Sequence, residues 1–147
     1  MTGPREYPER PVVGVGGAVI ANGRALLVRR GNPPAEGEWS IPGGLLEVGE
    51  TLVEGVRREL EEETGIRVKV HEVIDVFERV SLDGEGKTQY HYVVLDYFCE
   101  SAGGDARPGS DVTEVAWVPE AELVHYSLAA TARQVIEKAF RIARHRT

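Results

Sequence analysis

GGLLEVGETLVEGVRRELEEETGI, residues 43–66, carries seven glutamates and two arginines, a local net charge of -5 within a chain whose formal charge is -7. Thr51 and Glu54 form a T-x-x-E capping box, and Gly65 follows as a C-terminal stop, so the spacing predicts one helix over 52–64. At roughly 100° per residue, Glu59, Glu62 and Glu63 share an arc about 100° wide. Leu52, Val53, Val56 and Leu60 fill a neighbouring, partly overlapping arc. One edge of the helix is therefore expected to dock on a core while the other presents carboxylates. Like charges at i, i+3 and i+4 repel by on the order of a few tenths of a kcal/mol per pair and raise one another's pKa. The cluster favours a cationic occupant, and a hard divalent ion with oxygen ligands, Mg²⁺, suits it. Read alone, the three glutamates would better suit a solvated acidic face.

The spacing around them is more specific. Gly44 is followed after five residues by Glu50, after seven more by Arg58-Glu59-Leu60, and then by Glu62-Glu63 and Gly65-Ile66. This resembles the signature of the Nudix hydrolases at every defined position over 23 residues. Trp39-Ser40-Ile41-Pro42-Gly43 also looks like that family's approach to its box. The resemblance implies a strand-loop-helix unit that uses divalent metal to attack a pyrophosphate with water. It places metal on Glu59, Glu62, Glu63 and the backbone carbonyl of Gly43, with Mg²⁺ as cofactor and Mn²⁺ as a substitute, and it makes Glu59 the catalytic base. Glu50 and Arg58 are expected to pair across the loop-helix junction, as supports of the site together with Gly44 and Gly65. Arg30, the second of the pair Arg29-Arg30, is a substrate-phosphate candidate, against a solvated strand end. Asp111 is the candidate second acid, against a turn-forming aspartate, with Glu114 as its rival.

At 147 residues and 41% hydrophobic, the chain suits one core. We read 1–11, with Pro4, Pro8 and Pro11, as an irregular arm and 12–147 as a single domain. The acidic balance offers no electrostatic footprint for bulk nucleic acid. The chain has neither a signal-peptide pattern nor an 18-residue apolar span, so it is expected in the cytoplasm and off the membrane. A homodimer is allowed, with the arm as a candidate contact. Cys99, the lone cysteine, reads as a small buried hydrophobe.

Along the chain, 12–21 reads as a buried strand, Asn22-Gly23 as a tight turn and 24–30 as the return strand. Stretches 66–82 and 88–100 read as a long hairpin around Asp83-Gly84-Glu85-Gly86. Its aromatic residues, Phe77, Tyr90, Tyr92, Tyr97 and Phe98, are read mostly as core, with room for one to stack on a base. Residues 101–110 read as a loop flexible enough to swing Asp111 toward a substrate. A short strand at 112–118 follows, and Ser127 is expected to cap a final amphipathic helix starting at Leu128. The pattern is α/β, and the resemblance implies an α/β/α sandwich with a mixed sheet between helices.

The function expected is metal-dependent hydrolysis of the pyrophosphate bond in a nucleoside diphosphate linked to another group. ADP-ribose or another nucleotide sugar ranks first, nucleoside triphosphates, including oxidised ones, second. A non-catalytic nucleotide-sugar sensor on the same fold would be expected to lose box carboxylates, and here all are present. Two marks of substrate branches are missing. No proline lies between Pro42 and Pro108, and Asn22 and Asn32 are the only asparagines, so neither the proline of one ADP-ribose group nor the purine-reading asparagine of the oxidised-guanine branch is found.

Overall fold

The computed structural model describes residues 5–32 and 36–146. The first four arm residues and the Pro33-Pro34 part of the loop before Trp39 lie outside the described residues. The strand β1 (Val12–Ala21) turns at Asn22-Gly23, both with positive φ, into β2 (Arg24–Arg30). Left-handed backbone at both central positions matches the twist of a two-residue hairpin. Two short strands follow, β3 (Trp39–Ser40) and β4 (Gly43–Leu45), and then the helix α1 (Leu52–Thr64). Thr51 and Glu54 close a reciprocal capping box, and Gly65 adopts φ 75°, so the helix has the predicted ends. The hairpin β5 (Arg67–Leu82) and β6 (Thr88–Gly103) precedes β7 (Val112–Pro119). A 3-10 turn at Glu120–His125 and the helix α2 (Ala130–His145) complete the order.

The sheet is mixed. β1 runs parallel to β6 from Val12 to Val19, and β6 pairs antiparallel with β5. On its other edge β1 pairs first with β4 at Gly14–Gly16 and then with β2 at Ile20 and Ala21. β2 also carries β7 and β3. Because β1 changes partner midway, the sheet opens there, and the 41–45 segment sits in the opening.

A core lies on each face. Val56 and Leu60 of α1 are fully buried against Val15, Val19, Leu26 and Ile66, each side chain contributing roughly 2 kcal/mol by area removed from water. Across the sheet, Val135, Ile136, Ala139 and Phe140 of α2 pack on Ala18, Ile20, Leu27 and Phe98. Cys99 is buried on the α1 side, where burial pushes its thiol up to about 12. The described arm residues lie on the hairpin of their own chain: Tyr7 donates its N–H to the Gln89 carbonyl and its hydroxyl to Asp83.

Two sequence expectations are corrected. α2 begins at Ala130 with Ala129 as a cap lacking a side-chain bond, not at Ser127. Ser127 gives its carbonyl to the Trp39 N–H, and Leu128 bridges Trp39, which holds both residues extended. Residues 104–110 are also tethered, since Arg107 and Gly109 donate their N–H groups to the carbonyls of Thr64 and Glu63 at the end of α1. The strand before them runs on to Gly103. These bonds satisfy carbonyls that a helix end would otherwise leave unpaired.

Candidate active site

The capping box and the contacts of Val56 and Leu60 fix the rotation of α1, and this aims Glu59 and Glu63 at the 43–45 segment. Glu59 is only 14% exposed and lies directly on the Cα of Gly44, where an added Cβ would overlap its carboxylate. Glu63 accepts a hydrogen bond from the Gly43 N–H at 3.0 Å. Gly43 faces Gly16 between the bonds Gly17 N–H to Pro42 O and Leu46 N–H to Val13 O, which flank a non-hydrogen-bonded pair. Both its N–H and its carbonyl therefore point away from β1, the N–H onto Glu63 of α1. Glu62 is 60% exposed at the rim.

Arg58 is the centre of the polar network. Its Nε and Nη2 hold the two Glu50 oxygens at 2.6 and 2.9 Å, and Nη2 also donates to the Leu45 carbonyl at 2.9 Å. Nη1 reaches Glu59 at 2.7 Å and Glu62 at 3.3 Å. One planar guanidinium thus ties the loop, the helix and two of the acidic residues together. Its bidentate bond holds the Glu50 carboxyl below its ordinary range, and the same bond raises Arg58 further.

The acids deeper in the site behave oppositely. Burial raises Glu59 against the opposing pull of Arg58. Burial also pushes Glu63 from its ordinary 4.5 up to about 7, and the charge of Glu59 adds to the shift. Such a shift is on the order of 3 kcal/mol against the ionised form. Because the folded value lies above the unfolded one, the native state holds a proton that the unfolded chain has lost between these values. Stability from Glu63 therefore falls as pH rises from 4.5 to about 7. Asp96, pushed from 3.8 to about 7 by burial, acts in the same direction. A metal-free thermal unfolding series is expected to show the midpoint dropping between about pH 5 and 8. Added Mg²⁺, which prefers the ionised site, should raise the midpoint more at pH 8 than at pH 5.5. Equal effects of Mg²⁺ at both pH values would argue that Glu63 is not among its ligands.

The donor set fits a hard divalent cation: it is all oxygen, two of its carboxyls are held at raised pKa, and the Gly43 carbonyl lies on the edge of its strand turned away from β1. Among the described residues, no three acids, histidines or cysteines already converge on one point. Glu59 is turned to Arg58, Glu63 to the Gly43 N–H, and Glu62 meets Arg58 from the rim.

Arg30 ends β2 on the Glu63 side of this network, and its charge opposes the rise in the Glu63 pKa. Its Nε is buried and, among the described residues, has no hydrogen-bond partner. A buried guanidinium N–H without an acceptor leaves desolvation uncompensated, and an anionic oxygen would satisfy it. Asp111 also lies near enough for its charge to act on Glu63, and it receives a 3.3 Å bond from Asn32. Glu114 is engaged elsewhere, paired with Arg29 at 2.9 Å. Sequence reasoning passed over Asp96, 5% exposed beside Tyr97 in β6. The available signal was an aspartate inside the otherwise apolar and aromatic run Val93 to Cys99.

Comparison with known proteins agrees with this geometry. An ADP-ribose pyrophosphatase of Methanocaldococcus jannaschii is 35% identical over 104 residues, covering 71% of this chain and 59% of that protein. The nucleoside triphosphatase NudI of Escherichia coli is 31% identical over 106 residues, covering 68% of this chain and 74% of that one. The crystal structure of a MutT NUDIX hydrolase from Burkholderia pseudomallei superposes with a TM-score of 0.76 at 29% identity, over 88% of this chain and 98% of that one. With the NUDIX domain model matching residues 10–139 across both cores and the acidic helix, the chain belongs to the Nudix hydrolases, a family that uses divalent metal ions on small nucleotide substrates.

Proposed function

We propose that this chain hydrolyses the pyrophosphate bond of ADP-ribose or a related nucleoside diphosphate sugar, with Mg²⁺, or Mn²⁺ in its place, held by Glu59, Glu62, Glu63 and the Gly43 carbonyl. The observation that carries the reading is the pairing of half-buried Glu59 and Glu63, both raised in pKa by burial, with an Nε of Arg30 that has no partner among the described residues. Together they form a site that wants both a cation and an anionic oxygen. When bound, the cation neutralises charge on the phosphate oxygens and makes the attacking water more acidic. Arg30 binds a phosphate oxygen of the substrate and so fixes which phosphorus faces α1. Glu59, held against Gly44 and steadied by Arg58, takes the proton of the water. Glu50 and Arg58 position the loop and contribute no proton. Residues 12–147 act as one Nudix domain, and a cytoplasmic setting belongs to the same reading.

The second acid in this scheme is Asp111, near enough for its charge to act on Glu63, while Glu114 is occupied by Arg29. Asp111→Asn is expected to cut kcat several-fold with an unchanged unfolding midpoint, and Glu114→Gln to change stability slightly and kcat little. The reverse pattern in steady-state kinetics and thermal melts would move the role to Glu114.

The M. jannaschii relative favours a nucleotide sugar and the E. coli relative a triphosphate. A panel of ADP-ribose, other nucleoside diphosphate sugars and nucleoside triphosphates, each with Mg²⁺ and with Mn²⁺, decides between them. The highest kcat/KM is expected for ADP-ribose or another diphosphate sugar. A triphosphate at the top would replace the substrate assignment and keep the chemistry, and binding without turnover of any member would make the protein a sensor.

A further inference from the structure

The sheet leaves one long edge open. Its strand order ends at β5, and among the described residues β5 pairs with β6 alone. An unpaired edge offers a row of backbone N–H and C=O groups to another strand, and proteins commonly blunt such edges with lysine, proline or bulges. From Asp75 to Ser81, β5 keeps one unbroken register with β6, and this stretch, DVFERVS, holds neither lysine nor proline. The bulges lie outside it, before Asp75 and after Ser81. Val76, Val80 and Leu82 of the same strand are 58%, 53% and 61% exposed. An apolar row along an open edge is uncommon on a chain that stays alone.

The charges on this stretch identify what covers it. Asp75, Phe77 and Arg79 stand on the α2 face, where Lys138 of α2 holds both Asp75 oxygens at 2.8 Å, and Val76, Glu78 and Val80 alternate with them on the α1 face. Arg79 is exposed and, among the described residues, has no ion-pair partner. When two copies of β5 meet antiparallel about a two-fold axis normal to the sheet, the axis passes through one residue, because any other centre would oppose residues from different faces. Three centres keep at least five opposed pairs inside the regular stretch: Phe77, Glu78 and Arg79. Centring on Glu78 or Arg79 sets like charges directly against each other, which destabilises a pair. Centring on Phe77 sets Asp75 of each copy opposite Arg79 of the other and brings no like charges together. Lys138 uses part of the Asp75 carboxylate, which stays 26% exposed and has lone pairs left for a guanidinium. On the α1 face the same register places Val76 diagonal to Val76 and Val80 of the second copy, so the exposed valines cover one another.

We propose that two copies of this chain join edge to edge through β5, antiparallel and centred on Phe77, so that their sheets run on as one. The proposal is independent of the substrate. Backbone hydrogen bonds along the edge supply the attachment, and the paired Asp75 and Arg79 select the register. The described arm residues, by contrast, are engaged by the hairpin of their own chain.

Sedimentation equilibrium of the full chain is the test. The wild-type protein should show a monomer-dimer equilibrium, and Arg79→Glu, which turns both opposed pairs repulsive, should weaken the dimer at least about 10-fold. Asp75→Lys should do the same by opposing cations. Mixed in equal amounts, the two variants should associate within about 3-fold of the wild-type affinity, because one pair is then reversed and the other native. Should Asp75→Lys unfold with the loss of its Lys138 contact, hydrogen exchange decides instead. Edge amides within 75–79 should gain at least about 3-fold protection as the wild-type concentration rises, and none in Arg79→Glu. A chain monomeric at every concentration would overturn the proposal and leave the edge to a strand of another protein. A dimer unmoved by Arg79→Glu, or folded variants that fail to restore each other, would overturn it equally.

Discussion

Glu59→Gln should lower kcat by at least about 10²-fold with little change in the unfolding midpoint. Glutamine keeps the size that packs on Gly44 and an oxygen that can accept from Arg58, so the fold loses nothing large. What it removes is a negative charge and a proton acceptor. Of the two acids to which Arg58 Nη1 donates a hydrogen bond, Glu59 is the more enclosed, with 14% exposure against 60% for Glu62, so water replaces its function poorly. The same change at Glu62 should weaken metal affinity more than it slows saturated turnover. A Glu59→Gln enzyme with near-native kcat at saturating Mg²⁺ would move the base to another acid, with Asp111 next in line.

Arg58→Ala should lower stability and activity together. The change leaves Glu50 covered and unpaired, frees the Leu45 carbonyl and releases Glu59, at a cost of roughly 1 to 3 kcal/mol for the lost partner of a shielded carboxylate. Glu50 is held below its ordinary pKa by this bond, so its contribution is present at neutral pH and lost as pH falls through the depressed value. Denaturant unfolding at pH 7 and pH 4 should therefore show a smaller mutational effect at the lower pH. Activity falls because Glu59 and the 43–45 segment lose their common anchor. A variant with unchanged unfolding midpoint and metal affinity but no turnover would make Arg58 a direct participant in the chemistry.

The parts of this structure that were legible in the sequence are those set by local rules. Asn22-Gly23 specifies its own turn, and Thr51, Glu54 and Gly65 specify both ends of α1 through bonds made within a few residues. The illegible parts depend on distant partners. Ser127 has the chemistry of a cap, yet Trp39, far away in sequence, takes its carbonyl and leaves α2 to start later. The glycines of 103–109 suggest freedom, but Arg107 and Gly109 find the open carbonyls at the end of α1. The site divides in the same way. The acidic arc follows from helical spacing, and the Glu50 to Arg58 pair from its place in the box. The buried Nε of Arg30, the burial that raises Glu63 and the enclosed Asp96 appear only once the strands are assembled.

In the proposed function the helix carboxylates act through a divalent cation to cleave a pyrophosphate. It is tested most directly by following ADP-ribose with phosphorus NMR in Mg²⁺, then in excess chelator, then with Mg²⁺ restored. The expected result is conversion of the diphosphate signals into two phosphomonoester signals in equal amounts, arrest on chelation and recovery on restoration. Undiminished conversion in excess chelator would contradict the account.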